Sequence, residues 1–269
     1  MDAMGDSEGH RIVSSTALWR GDRRPAQIVQ VSQLEQDNQR APQQGESGPV
    51  AFDTEYIRWL EEHDKHINEL RTAVKSHARD SELRRIADNV TAHYDEVFRM
   101  KGNAAKVDVV HVLSGMWKTP AERCCIWIGG FRPSLLLKLL VNQLDPLSEQ
   151  QLADFNNLHQ SSDHAEVALS QGMEALQLSL GETLAMGPPF TESGNVATTY
   201  MNQMAMAMGK LVTLEDFLRQ ADSLRQQVLQ QIYRILTTRQ YARALLAIND
   251  YFSVFRVLSS IWLARPREE

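Results

Sequence analysis

The segment from Met116 to Leu140 restricts the fold more than any other part of the sequence, because it contains signals for several helix ends within a short stretch. Thr119 can serve as the N-cap of a helix and Pro120 fits the first helical position. Glu122, three residues after the cap, can complete a capping box with Thr119. The pattern therefore predicts a helix that begins at Pro120.

The same segment predicts where that helix ends and the next begins. Gly129 and Gly130 favour an end after Ile128, because glycine adopts left-handed backbone conformations readily. Pro133 is then placed to begin another helix. We expect a tight corner of two helices joined by the glycines, whose nonpolar side chains enter the core: Cys124, Ile126, Trp127, Ile128 and Phe131.

Apolar residues three and four positions apart predict amphipathic helices along most of the chain. After a possible N-cap at Asp53, the buried face of the first helix should comprise Phe52, Tyr56, Trp59, His63, Ile67, Leu70 and Val74. A second helix, capped by Asp80 and ending near Gly102, should bury Leu83, Ile86, Val90, Tyr94 and Val97.

Later signals complete an all-helical pattern. A short helix is expected over residues 104–113, and Ser148 with Gln151 offers a capping box for a long helix to about Leu184. Three polar residues in the middle of that helix, His159, Ser162 and Glu166, suggest weak burial there or contact with a partner. Thr213 with Asp216 predicts a helix start after a separate segment over 196–208, and the last helix should end before Pro266.

No alternating strand pattern is present, so we predict an all-α bundle of about eight helices. Residues 1–50 are polar and contain few aromatics, which predicts a flexible arm, and residues 51–269 should form the helical domain. The longest apolar run, Leu135–Val141, is interrupted by Lys138 and is too short to cross a membrane. The first residues contain no apolar run, so we expect no secretory signal.

Charge and cysteine content restrict the function. The net charge of −6 and the isoelectric point near 5.8 argue against direct binding of nucleic acid. The only two cysteines, Cys124 and Cys125, are neighbours that do not form an ordinary disulfide with each other, which indicates a reducing compartment.

Long stretches of the sequence resemble one known family. They are TPAERCCIWIGGFRP followed by LLKLLVNQL, with AFDTEYIRWLEEHDKHINELR before them and LRQADSLRQQVLQQIYRILTTRQYARALLAINDYFS after them. Together they resemble the C-terminal region, or delay-of-germination domain, of plant TGA-type bZIP transcription factors, over about residues 33–269. The resemblance implies a nuclear, non-enzymatic regulator of TGACG-type promoters that needs no cofactor. It also implies three kinds of protein partner: NPR-type ankyrin-repeat coactivators, glutaredoxin-like proteins and other TGA-type factors.

The N-terminal part of the family pattern is incomplete in this sequence. A short heptad-like pattern, formed by Ile28, Val31 and Leu34, resembles the end of the family's leucine zipper. The piece present in this sequence is too short to hold a coiled coil unaided. The basic region should lie immediately upstream, but residues 1–27 contain only a cluster of three arginines, Arg20, Arg23 and Arg24. We expect contact with DNA only when the chain pairs with a complete family member.

Three groups of residues are candidates for binding or redox chemistry. Cys124 and Cys125, near the start of a short helix, could be redox-sensitive, although buried and unreactive thiols are the simpler interpretation. Trp127 and the methionines of the 196–208 segment could line a pocket for a small apolar molecule such as a fatty acyl chain, although core packing is the default interpretation. The methionines are Met201, Met204 and Met208, with Met206 beside them.

A polar face could serve partner binding. Four glutamines flank an apolar stripe and could either bind a coactivator or simply face solvent: Gln226, Gln227, Gln230 and Gln231.

Two histidine patterns suggest chemistry only weakly. His63 and His66 are one turn apart beside acidic residues, but no further metal ligand has a recognisable spacing, so an exposed helix face is the favoured interpretation. The Asp163–His164 pair near Ser161 and Ser162 lacks the glycine-rich turn of a nucleophile elbow. The sequence therefore predicts neither a metal site nor an enzyme.

Overall fold

The computed structural model describes residues 44–144, 146–185 and 196–266. Within these ranges the chain forms seven helices and no strand. Apart from Gln44 and Gly45, the described residues belong to one compact unit, Glu46–Glu269. The all-α prediction is confirmed, whereas the heptad-like residues Ile28, Val31 and Leu34 and the three arginines before them lie outside the described residues. The helices are α1 Gln44–Lys75, α2 Asp80–Ser114, α3 Pro120–Cys124, α4 Pro133–Gln143, α5 Glu149–Ala185, α6 Val196–Ile235 and α7 Thr238–Ala264.

The buried faces predicted for α1 and α2 are confirmed. All of the expected stripe positions are buried in the structure except Val74, which is half-buried against the same core. The predicted start of α1 is wrong, because the described helix already includes Gln44 and Asp53 lies inside it. The Asp53 carboxylate does not cap a helix but lies 2.7 Å from His111 Nε2 on α2.

Helix α2 passes through Gly102, where the sequence predicted a break. Lys101 and Ala105 are both buried, and the packing of such neighbours outweighs the roughly 1 kcal/mol that a glycine costs inside a helix. The break occurs at Asp108, whose backbone is non-helical (φ −149°, ψ 90°). Its carboxylate accepts a hydrogen bond from the His111 amide at 2.9 Å, so Asp108 caps the last turns of the element.

The corner after α2 has the predicted start but a different end. The capping box forms, since the Thr119 amide donates to Glu122 Oε2 at 3.0 Å. Helix α3 ends at Cys124 rather than at Ile128. Because α3 is only five residues long and buries none of them, Cys124 is exposed instead of belonging to the core.

A tight backbone turn replaces the missing end of that helix. Trp127 and Gly130 exchange two backbone hydrogen bonds, at 2.7 and 3.1 Å. The two residues between them have positive φ, 38° at Ile128 and 66° at Gly129, as in a two-residue hairpin turn of type I′. A β-branched side chain at such a φ is strained, so the surrounding contacts must hold the turn.

The second half of the bundle confirms one predicted boundary and corrects another. Ser148 and Gln151 form the expected capping box before α5. Helix α6 is continuous, and the Thr213 hydroxyl donates to the Gly209 carbonyl one turn earlier instead of capping a new helix. Helix α7 begins with a capping box between Thr237 and Gln240 and ends, as predicted, before Pro266.

Helix α7 is the one described helix that is long and apolar enough, by length and composition alone, to cross a membrane. Its first half forms part of the core of the bundle, where Tyr241, Leu245 and Ile248 are buried. Its second half carries exposed apolar side chains.

Candidate functional site

Arg225 of α6 holds the turn between α3 and α4. Its side chain is completely buried and its Nε donates to the Phe131 carbonyl at 2.7 Å. The terminal nitrogen Nη2 donates to the carbonyls of Trp127 and Ile128, the latter at 2.9 Å. One guanidinium therefore satisfies three carbonyls of a turn that lies almost a hundred residues earlier in the chain.

Gly130 leaves the space that this guanidinium occupies. A Cβ at position 130 would lie 2.8 Å from Arg225 Cζ and 2.9 Å from its Nε. Real Cβ atoms do not approach other heavy atoms so closely, so a side chain here would push the guanidinium off its three carbonyls.

Two further charges complete a buried ionic cluster. Asp222 Oδ1 lies 2.5 Å from Arg225 Nη1 and 2.5 Å from Lys101 Nζ of α2. The pKa of Lys101 is lowered to about 8, mainly by burial and also by the nearby Arg225, while the Asp222 carboxylate opposes the shift. Burial also lowers the pKa of Arg225. One carboxylate thus serves two buried cations and ties α2, α6 and the turn together.

Glu166 of α5 corrects the expectation that the middle of this helix is weakly buried. The residue is 1% exposed, and its two oxygens accept hydrogen bonds from the amide and the hydroxyl of Ser134, each at 2.7 Å. Ser134 lies in the first turn of α4, where backbone amides lack partners within the helix. A carboxylate from another helix therefore caps α4, and Arg132 lies 3.5 Å from the same group.

This buried network was not predicted from the sequence. The charged residues of the cluster continue the apolar stripes of their helices. Lys101 follows Val97 by four residues, Asp222 follows Leu218 by four, and Arg225 precedes Leu229 by four. Charged residues within an apolar stripe were the available signal. The sequence does not show that these residues form ion pairs, because Lys101 and Asp222 are 121 positions apart.

A cavity of about 110 Å³ lies beside the cluster. Aromatic rings make up much of its lining, including Tyr56, Trp59, Phe98, Trp117, Phe131, Tyr251, Phe252 and Phe255. Besides Lys101 and Arg225 of the ionic cluster, three further cationic side chains line it: Lys118, Arg132 and Arg256. Lys118 donates to the Tyr56 hydroxyl and lies 3.3 Å from Glu122 Oε1. The arrangement can hold an apolar body with an acidic group.

Trp59 and His63 line one side of this cavity. The ring of Trp59 lies 4.8 Å from that of His63 and 4.7 Å from that of His93, the two histidine rings are 5.7 Å apart, and all three planes are nearly parallel. His63 is only 3% exposed, so the expectation of an exposed helix face is wrong for this residue. Burial, and then His93 and Arg256, lower the pKa of His63 to about 3, and its Nδ1 has no hydrogen-bond partner in the described structure.

The residues predicted to line an apolar pocket are not brought together around this cavity. Trp127 is buried, and its indole donates to Ser170 Oγ at 2.9 Å. Met201 and Met208 are exposed on α6 and Met204 is half-buried, and none of the three lines the cavity described above.

The other candidates lie at or near the surface. Cys124 and Cys125 are both exposed, which contradicts the interpretation of buried thiols. Of the four glutamines, Gln226 donates to Asp95 Oδ1 at 3.2 Å and Gln227 to Ser223 at 3.2 Å, whereas Gln230 is exposed and Gln231 half-buried.

The histidine patterns form no recognisable reaction centre. Asp163 and His164 are exposed, and the Ser161 hydroxyl donates to the backbone of its own helix. Among the described residues, no group of three or more His, Cys, Asp or Glu is placed to hold a metal ion.

These features define an all-helical domain with a buried ionic cluster beside an aromatic cavity. The family model described as DOG1, seed dormancy control, matches residues 66–142. The chain is 71% identical over 257 residues to the TGACG-sequence-specific DNA-binding protein TGA-2.1 of Nicotiana tabacum, which covers 90% of this chain and 56% of that protein. It is 65% identical over 256 residues to transcription factor TGAL1 of Oryza sativa subsp. japonica, with 89% and 54% covered.

A third relative is covered more completely. Transcription factor TGA2 of Arabidopsis thaliana is 62% identical over 255 residues, which span 89% of this chain and 77% of that protein. The chain belongs to the TGA family of transcription factors, a family without enzymes. It spans about half the length of the first two relatives.

Proposed function

We propose that the chain regulates transcription in the nucleus as a partner-binding and pairing module of the TGA family. The observation that carries the proposal is the distribution of similarity and charge. Identity of 62–71% extends over about nine-tenths of the chain, whereas residues 1–27 contain no basic run and the net charge is −6. A negatively charged chain gains little from the phosphate backbone of DNA.

Binding to a TGACG duplex tests the DNA part of the proposal. Fluorescence anisotropy with a labelled duplex should detect no sequence-dependent binding by this chain alone at low salt. A complete family member, such as tobacco TGA-2.1, serves as the positive control. Tight, salt-sensitive binding by the chain alone would refute this part.

NPR-type ankyrin-repeat coactivators are the partners that we propose for the glutamine face of α6. Gln227 and Gln230 are exposed on that face and can form hydrogen bonds without bringing charge into an interface. Replacing both by Lys should weaken capture of a purified coactivator, while Arg219→Lys on another exposed part of α6 should not. Equal capture by both variants would exclude this face.

Glutaredoxin-like proteins are proposed partners of the exposed thiols. Exposure of Cys124 and Cys125 makes both accessible to disulfide exchange. Intact-protein mass spectrometry after treatment with oxidised glutathione should show an adduct that a glutaredoxin removes and that Cys124→Ser with Cys125→Ser lacks. A wild-type chain that takes up no glutathione would contradict the proposal.

A second candidate function is recognition of a small apolar acid, such as a fatty acid, in the aromatic cavity. The specific observation that favours it is the combination of aromatic walls with Lys118, Arg132 and Arg256. An acyl chain would contact the rings, and a carboxylate would neutralise part of the cationic lining. This cavity replaces the pocket expected between Trp127 and the methionines.

Native mass spectrometry and a competition assay test the second candidate. The chain should bind a fatty acid more tightly than the alcohol of equal length, and Arg256→Gln should reduce that preference. Arg219→Gln, which removes an exposed charge on another helix, is the matched control. A preference that is absent, or unaffected by Arg256→Gln, would count against this function.

A further inference from the structure

The second half of α7 carries an unusual exposed surface. Six of its apolar side chains are between 51% and 65% exposed: Val254, Val257, Leu258, Ile261, Trp262 and Leu263. Arg256 is the only charged residue between Asp250 and Arg265. The opposite side of the same helix packs on the bundle, where the Ser259 hydroxyl accepts a hydrogen bond from the Ala121 amide of α3.

Four of these side chains form one continuous stripe. Val254, Val257, Leu258 and Ile261 are three, four and seven residues apart, which places them on one face of the helix. We call this stripe, together with Asp250 one turn before it and Arg265 one turn after it, the outer face of α7. The interval from Asp250 to Val254 equals that from Ile261 to Arg265.

The outer face of α7 is therefore symmetric about its centre. If two copies of the helix cross in opposite directions, Val254 of one chain meets Ile261 of the other, and Val257 meets Leu258. The same crossing places Asp250 opposite Arg265 at both ends. A two-fold axis requires one surface to be complementary to itself, and this stripe meets that requirement in both shape and charge.

The charged ends are available for such a contact. Asp250 accepts hydrogen bonds from Arg71 at 2.6 and 3.3 Å, yet its side chain remains 53% exposed. The hydrogen bond from Arg71 is the main cause of the lowered pKa of Asp250, so the carboxylate stays ionised. The Arg265 guanidinium stacks on Trp262 at 3.3 Å, at the edge of the stripe.

The stripe supplies part of the area that an interface needs. Its four apolar side chains expose roughly 400 Å² in total, about half of the ~800 Å² per partner in a standard stable interface. The charged ends and the neighbouring surface supply the remainder. Apolar patches of this size on a soluble domain usually mark a contact surface.

We propose that two copies of this chain pair through the outer face of α7, with the helices antiparallel about a two-fold axis. The inference deepens the pairing role proposed above and assigns it a surface.

Sedimentation velocity on the full chain over a concentration series tests the pairing. The wild type should show a reversible monomer–dimer equilibrium. Val257→Glu with Leu258→Glu places four like charges at the centre of the contact and should raise the dissociation constant at least ~100-fold. Leu178→Glu with Val212→Glu adds equal charge at other exposed apolar positions and should leave it unchanged.

Charge exchange at the ends tests the orientation. Arg265→Glu alone, and Asp250→Arg alone, each place like charges opposite one another and should weaken pairing at least ~10-fold. A mixture of these two variants restores both opposite-charge contacts and should form a mixed dimer. Helicity and melting temperature of each variant report whether the fold is intact.

Three results would overturn the proposal: a wild type that stays monomeric throughout, pairing that survives the two central glutamates in a folded variant, or variants that fail to associate when mixed. Pairing through the heptad-like residues near Ile28 would give the second result. Capture of a coactivator by the folded Val257→Glu, Leu258→Glu variant would support the proposed function whether or not that variant still pairs.

Discussion

The buried ionic cluster allows one strong prediction about stability. Among the described residues, Asp222 is the one carboxylate that contacts both Lys101 and Arg225, and Asp222→Asn leaves these two buried cations without it. Breaking a buried pair in this way typically costs about 3–5 kcal/mol, because the remaining charge is neither solvated nor paired. We expect the free energy of unfolding of Asp222→Asn to fall by that amount.

Lys101→Met is the informative comparison. It replaces the Lys101 cation by an uncharged side chain of similar length and leaves Asp222 paired with Arg225. The free energy of unfolding should therefore change by no more than about 1 kcal/mol in either direction. Adding Lys101→Met to Asp222→Asn should recover part of the loss, since one uncompensated charge disappears. Urea denaturation followed by far-ultraviolet circular dichroism measures all four proteins in a double-mutant cycle.

The sign of the pH dependence provides an independent check. Between the folded pKa of Lys101, about 8, and its ordinary value of 10.5, the unfolded chain binds a proton that the folded chain does not. Stability of the wild type should therefore rise relative to Lys101→Met as pH increases through this window. Two results would refute the reasoning: an equal loss of unfolding free energy in Asp222→Asn and Lys101→Met, or a stability difference between the wild type and Lys101→Met that does not change with pH.

Three further predictions concern the turn, the cavity wall and the cap of α4. Gly130→Ala should destabilise the domain by about 1–3 kcal/mol, because its Cβ displaces the guanidinium of Arg225; thermal denaturation should show a lower melting temperature. His63 binds a proton only near pH 3 in the folded state, whereas in the unfolded chain it does so below its ordinary pKa of 6.5. As the pH falls below 6.5, the free energy of unfolding of the wild type should therefore decrease relative to that of His63→Phe, by up to about 1.4 kcal/mol per pH unit. Urea denaturation at a series of decreasing pH values measures this difference. Glu166→Gln should cost about 1.5–3 kcal/mol and increase hydrogen exchange of the Ser134 amide, since a neutral amide is a weaker acceptor; unchanged exchange would show that the cap is dispensable.

Short-range signals in the sequence predicted much of the fold. The capping boxes at Thr119 and Ser148 depend on residues three positions apart, and both form. The apolar stripes of α1 and α2 depend on helical periodicity, and they face the core. Each of these features is determined by neighbours along the chain, which a sequence displays directly.

Features that depend on tertiary contacts were not predictable in the same way. Gly102 and Thr213 are common at helix ends, yet α2 and α6 continue through them because packing against other helices outweighs local preference. The turn at Ile128 deviates from the expected helix because Arg225, far along the chain, binds its carbonyls.

The candidate site was predicted less well than the fold. The sequence indicated an apolar pocket near Trp127 and the methionines, but the cavity forms where Tyr56 of α1, Trp117 of the turn after α2 and Phe252 of α7 meet. Helical periodicity shows which face of each helix is buried but not which faces meet. The residues that shape the cavity therefore became apparent only from the packing of the bundle.

One measurement tests most directly whether this chain acts through a paired family member rather than through its own contact with DNA. Tobacco TGA-2.1 bound to a labelled TGACG duplex is titrated with the chain, and complex mass and salt dependence of duplex binding are followed together. We predict a heavier complex whose salt dependence is unchanged, because the added chain contributes no phosphate contacts. A complex of unchanged mass, or a steeper salt dependence on addition of the chain, would contradict the account.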